Sequence, residues 1–105
     1  QLGLGLNGTF GPHNVHEPMP NKPWLEQRGD RVYCCYFHAG LRVYDVSDEF
    51  VPKEIAYFIP PNPSRPGRLP GPNIACTEDL VVDDRGNIFI VTNNDGMYVL
   101  RMTVD

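Results

Sequence analysis

Two stretches of this chain are apolar at every position rather than at every second one. They are residues 32–37, Val-Tyr-Cys-Cys-Tyr-Phe, and residues 88–91, Ile-Phe-Ile-Val. Short continuous runs of this kind, rich in β-branched and aromatic side chains, predict strands covered on both faces. Each run is followed by a glycine turn and a second strand candidate, residues 41–46 and 97–102. Each is preceded by a polar turn, Arg28-Gly29-Asp30 in one case and Arg85-Gly86-Asn87 in the other.

The chain therefore repeats itself. Residues 31–46 lie over residues 87–102 without a gap: Val32 on Ile88, Tyr33 on Phe89, Cys34 on Ile90, Cys35 on Val91, Gly40 on Gly96, Leu41 on Met97, Val43 on Val99. The second hairpin turn, Asn94-Asp95-Gly96, has residues that accept positive φ at little steric cost. A further strand candidate precedes each copy, at residues 14–17 and 79–82, and residues 54–59 add a fourth strand to the first copy only. Strands are thus expected at 14–17, 31–37, 41–46, 54–59, 79–82, 88–93 and 97–102. Antiparallel meanders with both faces covered are what blades stacked about an axis provide. The expected fold is all-β: a β-propeller fragment of about two four-stranded antiparallel blades. The first blade spans residues 10–59, a proline-rich connection spans 60–78, and a second blade without its fourth strand spans 79–105.

One segment carries a family resemblance. Ala39-Gly40-Leu41-Arg42-Val43-Tyr44-Asp45-Val46-Ser47-Asp48, followed by Pro52, resembles the repeat of the LVIVD-repeat β-propeller proteins. The second copy departs from that pattern, with Met97 for the leucine and Arg101 for the aspartate. The resemblance implies the C-terminal two-blade part of such a propeller. It also implies distant similarity to selenium-binding-protein-like propellers, some of which carry a metal near the axis. An intact propeller has about four to eight blades. The partners expected are therefore the missing blades of a longer parent or identical chains, three of which would close a six-bladed ring. The strand missing from the second blade would then come from residues 1–9 of the same chain or a neighbour. The chain does not begin with Met, which leads us to expect processing or a chain boundary upstream.

Composition narrows the remaining classes. Ten glycines and 11 prolines among 105 residues favour short strands and turns over long helices. The net charge of −4 supplies no basic footprint for nucleic acid. The apolar runs are too short to span a bilayer. Three cysteines cannot all pair within one chain, and Cys34 and Cys35 are neighbours on a strand, so all three are read as reduced thiols. That leans towards a cytoplasmic setting.

The candidate chemistry lies where the inner strands begin. His13 and His16 have Asn14 between them and Glu17 beside them, and Glu78 and Asp79 open the second inner strand at roughly the place that His13 and Asn14 hold in the first copy. These groups are candidates for a channel mouth, and His13 and His16 for ligands of a divalent metal in an intact propeller. Residues three apart on a strand point to opposite faces, so a shared ion would need a loop or bulge there. Channel lining and capping of strand ends are the competing roles. Trp24, beside the proline-rich insert 18–23, either anchors that insert or lines a ligand pocket. The only serines, Ser47 and Ser64, lie in predicted turns, and no glycine loop precedes a helix as phosphate binding requires. Three functions follow: a non-enzymatic scaffold or binding module, a metal-dependent enzyme with its site at the axis, and an oligomeric ligand-binding propeller built from two-blade chains.

Overall fold

The computed structural model describes residues 11–62, 76–92 and 96–103. These contain six strands and no helix. The strands are β1 (Arg31–Cys35), β2 (Leu41–Asp45), β3 (Lys53–Phe58), β4 (Thr77–Val82), β5 (Asn87–Thr92) and β6 (Gly96–Arg101). They form two three-stranded antiparallel meanders, β1-β2-β3 and β4-β5-β6.

The pairing register reproduces the sequence repeat. Val32 pairs with Tyr44, Tyr33 with Val43, Cys34 with Arg42 and Cys35 with Leu41. At the repeat-equivalent positions, Ile88 pairs with Leu100, Phe89 with Val99, Ile90 with Tyr98 and Val91 with Met97. The turn glycines match as well: φ is +77° at Gly40 and +88° at Gly96, a region L-residues rarely occupy.

The expected four-stranded blades are not present. Residues 14–17 do not form a strand; only Val15 makes a bridge, to Cys34. Pro12 and Pro18 flank the segment and have no N–H to donate, which leaves room for a few ladder bonds and no more. Three are made: His13 N to Cys35 O, Cys35 N to Asn14 O and His16 N to Tyr33 O. β1 stops at Cys35, two residues short of expectation, because Tyr36–Gly40 closes into a turn with Phe37 at φ 50°. The connection 63–75, the turn residues 93–95 and residues 1–9, expected to supply a strand, lie outside the described residues.

The core is the seam between the two sheets. Tyr33, Cys35, Leu41 and Val43 of the first sheet close on Leu80, Val82, Ile88 and Ile90 of the second. Phe58 reaches Tyr98 across the seam, ring centroids 5.6 Å apart. The two sheets present unlike faces to each other. Tyr33, Cys35, Leu41 and Val43 are the repeat equivalents of Phe89, Val91, Met97 and Val99, which point away from the seam. Ile88 and Ile90, which point into it, are the equivalents of Val32 and Cys34, on the far side of the first sheet. The packing is head to tail, not the like-on-like contact of a two-fold sandwich. β1 is covered on both faces at Cys34 and Cys35, as its apolar run predicts. β5 is not: Val91, on the face away from the seam, is 45% exposed.

Candidate functional site

The segment from His13 to Glu26 runs along the free edge of β4, the edge not paired with β5. An unpaired edge exposes a row of backbone donors and acceptors. Here that row is occupied almost group by group. Thr77 N donates to Phe37 O at 2.8 Å, and Glu78 O accepts from Asn14 Nδ2 at 3.0 Å. Leu80 N donates to Asp79 Oδ1 at 2.8 Å. Val82 N donates to His16 Nδ1 at 3.1 Å, and Val82 O accepts from Glu26 N at 3.0 Å. Beyond the strand end, Asp84 N donates to Trp24 O at 2.8 Å. Three of the sequence candidates, Asn14, His16 and Asp79, thus spend side-chain groups on backbone of the second sheet.

His16 is committed at both ring nitrogens. Nδ1 accepts from Val82 N, and Nε2 lies 3.0 Å from the Glu26 carbonyl oxygen. The acceptor role of Nδ1 puts the proton on Nε2, and no ring lone pair is left for a metal. The ring meets Tyr33 edge-on at 6.0 Å, and the Tyr33 hydroxyl donates to Glu26 Oε1 at 2.6 Å. Burial, followed by that bond, pushes the Tyr33 phenol above its ordinary range.

His13 is the more open of the two histidines. Its Nε2 lies 3.2 Å from Glu78 Oε2, with both side chains about one-third exposed. Its ring stacks on Phe37 at 4.3 Å. The other Glu78 oxygen accepts from the Cys76 thiol at 3.8 Å. His13, Asn14, Glu78 and Cys76 therefore meet at one end of the seam. Glu17 is exposed, and Asp79 turns to the backbone N–H of Leu80.

Trp24 is 58% exposed, with Lys22 Nζ 5.6 Å from its ring centroid. It anchors the insert through its carbonyl, not its ring. Inside the insert, Gln27 Nε2 reaches the carbonyls of Met19, Lys22 and Leu25. Sequence reasoning missed Gln27, Glu26 and Phe37, whose roles depend on where the chain folds back.

Among the described residues no three His, Cys, Asp or Glu side chains are grouped to hold an ion. A zinc-type site takes at least three protein ligands; the His13–Glu78 pair supplies two, and the neighbouring Cys76 thiol is held protonated against the other Glu78 oxygen. The thiols are also poor nucleophiles. Burial pushes Cys35 up to about 12, with Cys34 and the nearby acids adding to it. Burial and then Glu78 push Cys76 up to about 11, and burial raises Cys34. All three stay protonated at neutral pH, where thiolate is the reactive form.

Comparison with protein-family models, curated proteins and solved structures finds no match to this chain. Among the described residues no helix is long and apolar enough to cross a membrane.

Proposed function

We propose that this chain is a pair of consecutive blades of a β-propeller of the LVIVD-repeat type, and that it acts as a non-enzymatic scaffold. The head-to-tail contact of the two sheets is the observation that carries the reading. A propeller places the same rotation between every blade and the next, so each interface joins unlike faces of successive repeats. The seam joins the Tyr33–Cys35 face of one repeat to the Ile88–Ile90 face of the other, which are unlike faces in repeat terms. Like faces in contact would have favoured a sandwich.

The side chains at the inner ends favour a structural role over a chemical one. Asn14, His16 and Asp79 satisfy backbone, and the buried thiols are held protonated. What remains open is surface, and a scaffold works through surface. The test is a crystal structure of the assembled or parent protein, together with elemental analysis after exposure to divalent metals. Sheets arranged about one axis by a repeated rotation, without stoichiometric metal, are expected. A two-fold sandwich, or one metal per chain lost in His13→Ala, would overturn the reading.

A further inference from the structure

The face of the second sheet that points away from the seam is apolar across all three strands. Its rows are Val81–Phe89–Val99 and Val91–Met97. Val81 is 40% exposed, Val91 45%, Val99 56% and Met97 61%. Polar groups rim it: Asp79 at one end, and Asn87 with Arg101 at the other, bonded at 3.1 Å. A contiguous apolar patch with a polar rim marks an interaction site.

The repeat says what this face fits. Phe89, Val91, Met97 and Val99 stand at the positions of Tyr33, Cys35, Leu41 and Val43, which in the first sheet seat the second. The seated surface, Leu80, Val82, Ile88, Ile90, Tyr98 and Leu100, has its own counterpart on the far side of the first sheet. In repeat register that counterpart is Val15, Val32, Cys34, Arg42 and Tyr44, because Val15 bridges Cys34 as Leu80 pairs with Ile90; the exposed Glu17 stands at the place of Val82, at the border of that face. Val15 is 47% exposed there. Arg42 already has partners: its Nε donates to Ala39 O at 3.0 Å, its Nη1 lies 3.4 Å from Glu54 Oε1, and its guanidinium covers the Tyr57 ring at 5.0 Å. Docking would therefore bury no unpaired charge at Arg42.

We infer that the Val81–Phe89–Val91–Met97–Val99 face docks the Val15–Val32–Tyr44 face of a second copy of this chain, repeating the internal seam between molecules. The inference rests on the two-blade reading above. Such a contact is heterologous: each copy offers one face of each kind, so copies add head to tail and form a ring if the rotation closes.

Two exposed positions test it. Val99→Asp blocks the donor face and Val15→Asp the acceptor face; Met97→Lys is a second block on the donor face. Melting midpoints report whether each variant is folded, and light scattering after size exclusion reports mass. The unmodified chain is expected to associate beyond a dimer. Each variant alone is expected to be a monomer, and Val99→Asp mixed with Val15→Asp a one-to-one dimer, joined by the one pair of intact faces. A monomeric unmodified chain, a Val15→Asp homodimer, or no dimer in the mixture would overturn the inference. A monomer whose internal seam is intact by crystallography would leave the two-blade reading standing, so the two failures are distinguishable.

Discussion

Gly40 lies directly under the main-chain carbonyl of Phe58: a Cβ at Gly40 would stand 2.2 Å from Phe58 O. The first sheet closes its β1–β2 turn against β3 through that contact, and only a residue without a side chain allows it. Gly40→Ala is expected to lose about 1–2 kcal/mol to the left-handed backbone and about 1–3 kcal/mol more to overpacking. Gly96 has the same positive φ but nothing within 4 Å of its position, so Gly96→Ala should lose only the backbone part. Denaturant unfolding of both variants checks the difference; equal losses would remove the role given to Phe58.

Thr77 is fully buried at the start of β4, and its hydroxyl has no hydrogen-bond partner. Thr77→Val keeps the shape and removes the orphaned oxygen. The expected gain is about 1 kcal/mol, read as a rise in melting midpoint of roughly 4–8 °C. A fall would mean that the hydroxyl has a partner in solution.

His16→Ala is expected to strip a donor and an acceptor of their partners, Val82 N and Glu26 O. Each half-buried group left unpaired costs about 1–3 kcal/mol. Amide hydrogen exchange gives the local signature: the Val82 amide should exchange faster relative to Ile88, deep in the core. Uniform acceleration would show general destabilisation and no specific tie to β4.

The Asp83 carboxylate accepts from Asn87 Nδ2 at 2.9 Å, Asn87 N at 2.8 Å and Arg85 N at 3.0 Å. The Asn87 side-chain bond leads in holding its pKa below the ordinary 3.8. A depressed folded value stabilises the fold above the unfolded pKa, and that contribution is lost as pH falls through the folded one. Asp83→Asn should therefore narrow its stability deficit against the unmodified protein as pH drops below the ordinary carboxylate range. Melting curves across that interval decide it, and a deficit independent of pH would contradict the assignment.

Alkylation reports the thiols. With Cys35 pushed up to about 12 and Cys76 to about 11, iodoacetamide at mildly alkaline pH should label neither in the folded protein and both in denaturant. Fast native labelling of Cys76 would mean that the end of the seam opens.

The repeat was legible because strand pairing is periodic. The offset that lays Val32 on Ile88 also lays Tyr44 on Leu100, and the sheets pair those residues in both copies. The segment around Val15 was misjudged for the opposite reason. Val15 is its one apolar side chain, between Asn14 on one side and His16 and Glu17 on the other, so there is little periodicity to read. What Asn14 and His16 face is the edge of a strand more than sixty residues away in sequence, which periodicity does not encode. The apolar run at Ile88–Val91 predicts cover on both faces; it specifies a surface suited to burial, and among the described residues Val91 stays 45% exposed.

The wrap of residues 13–26 along β4 has a consequence for how this protein fails. An edge already filled by Asn14, His16 and Glu26 offers no ladder to a passing strand, so growth is confined to stacking of faces. Peeling that wrap away, by a nick in the proline-rich insert or by local unfolding, would bare the backbone of Thr77–Val82 beside an already apolar surface. The protein would then be open to β-sheet polymerisation along the hydrogen-bonding direction, with fibrils seeded from that edge as the product.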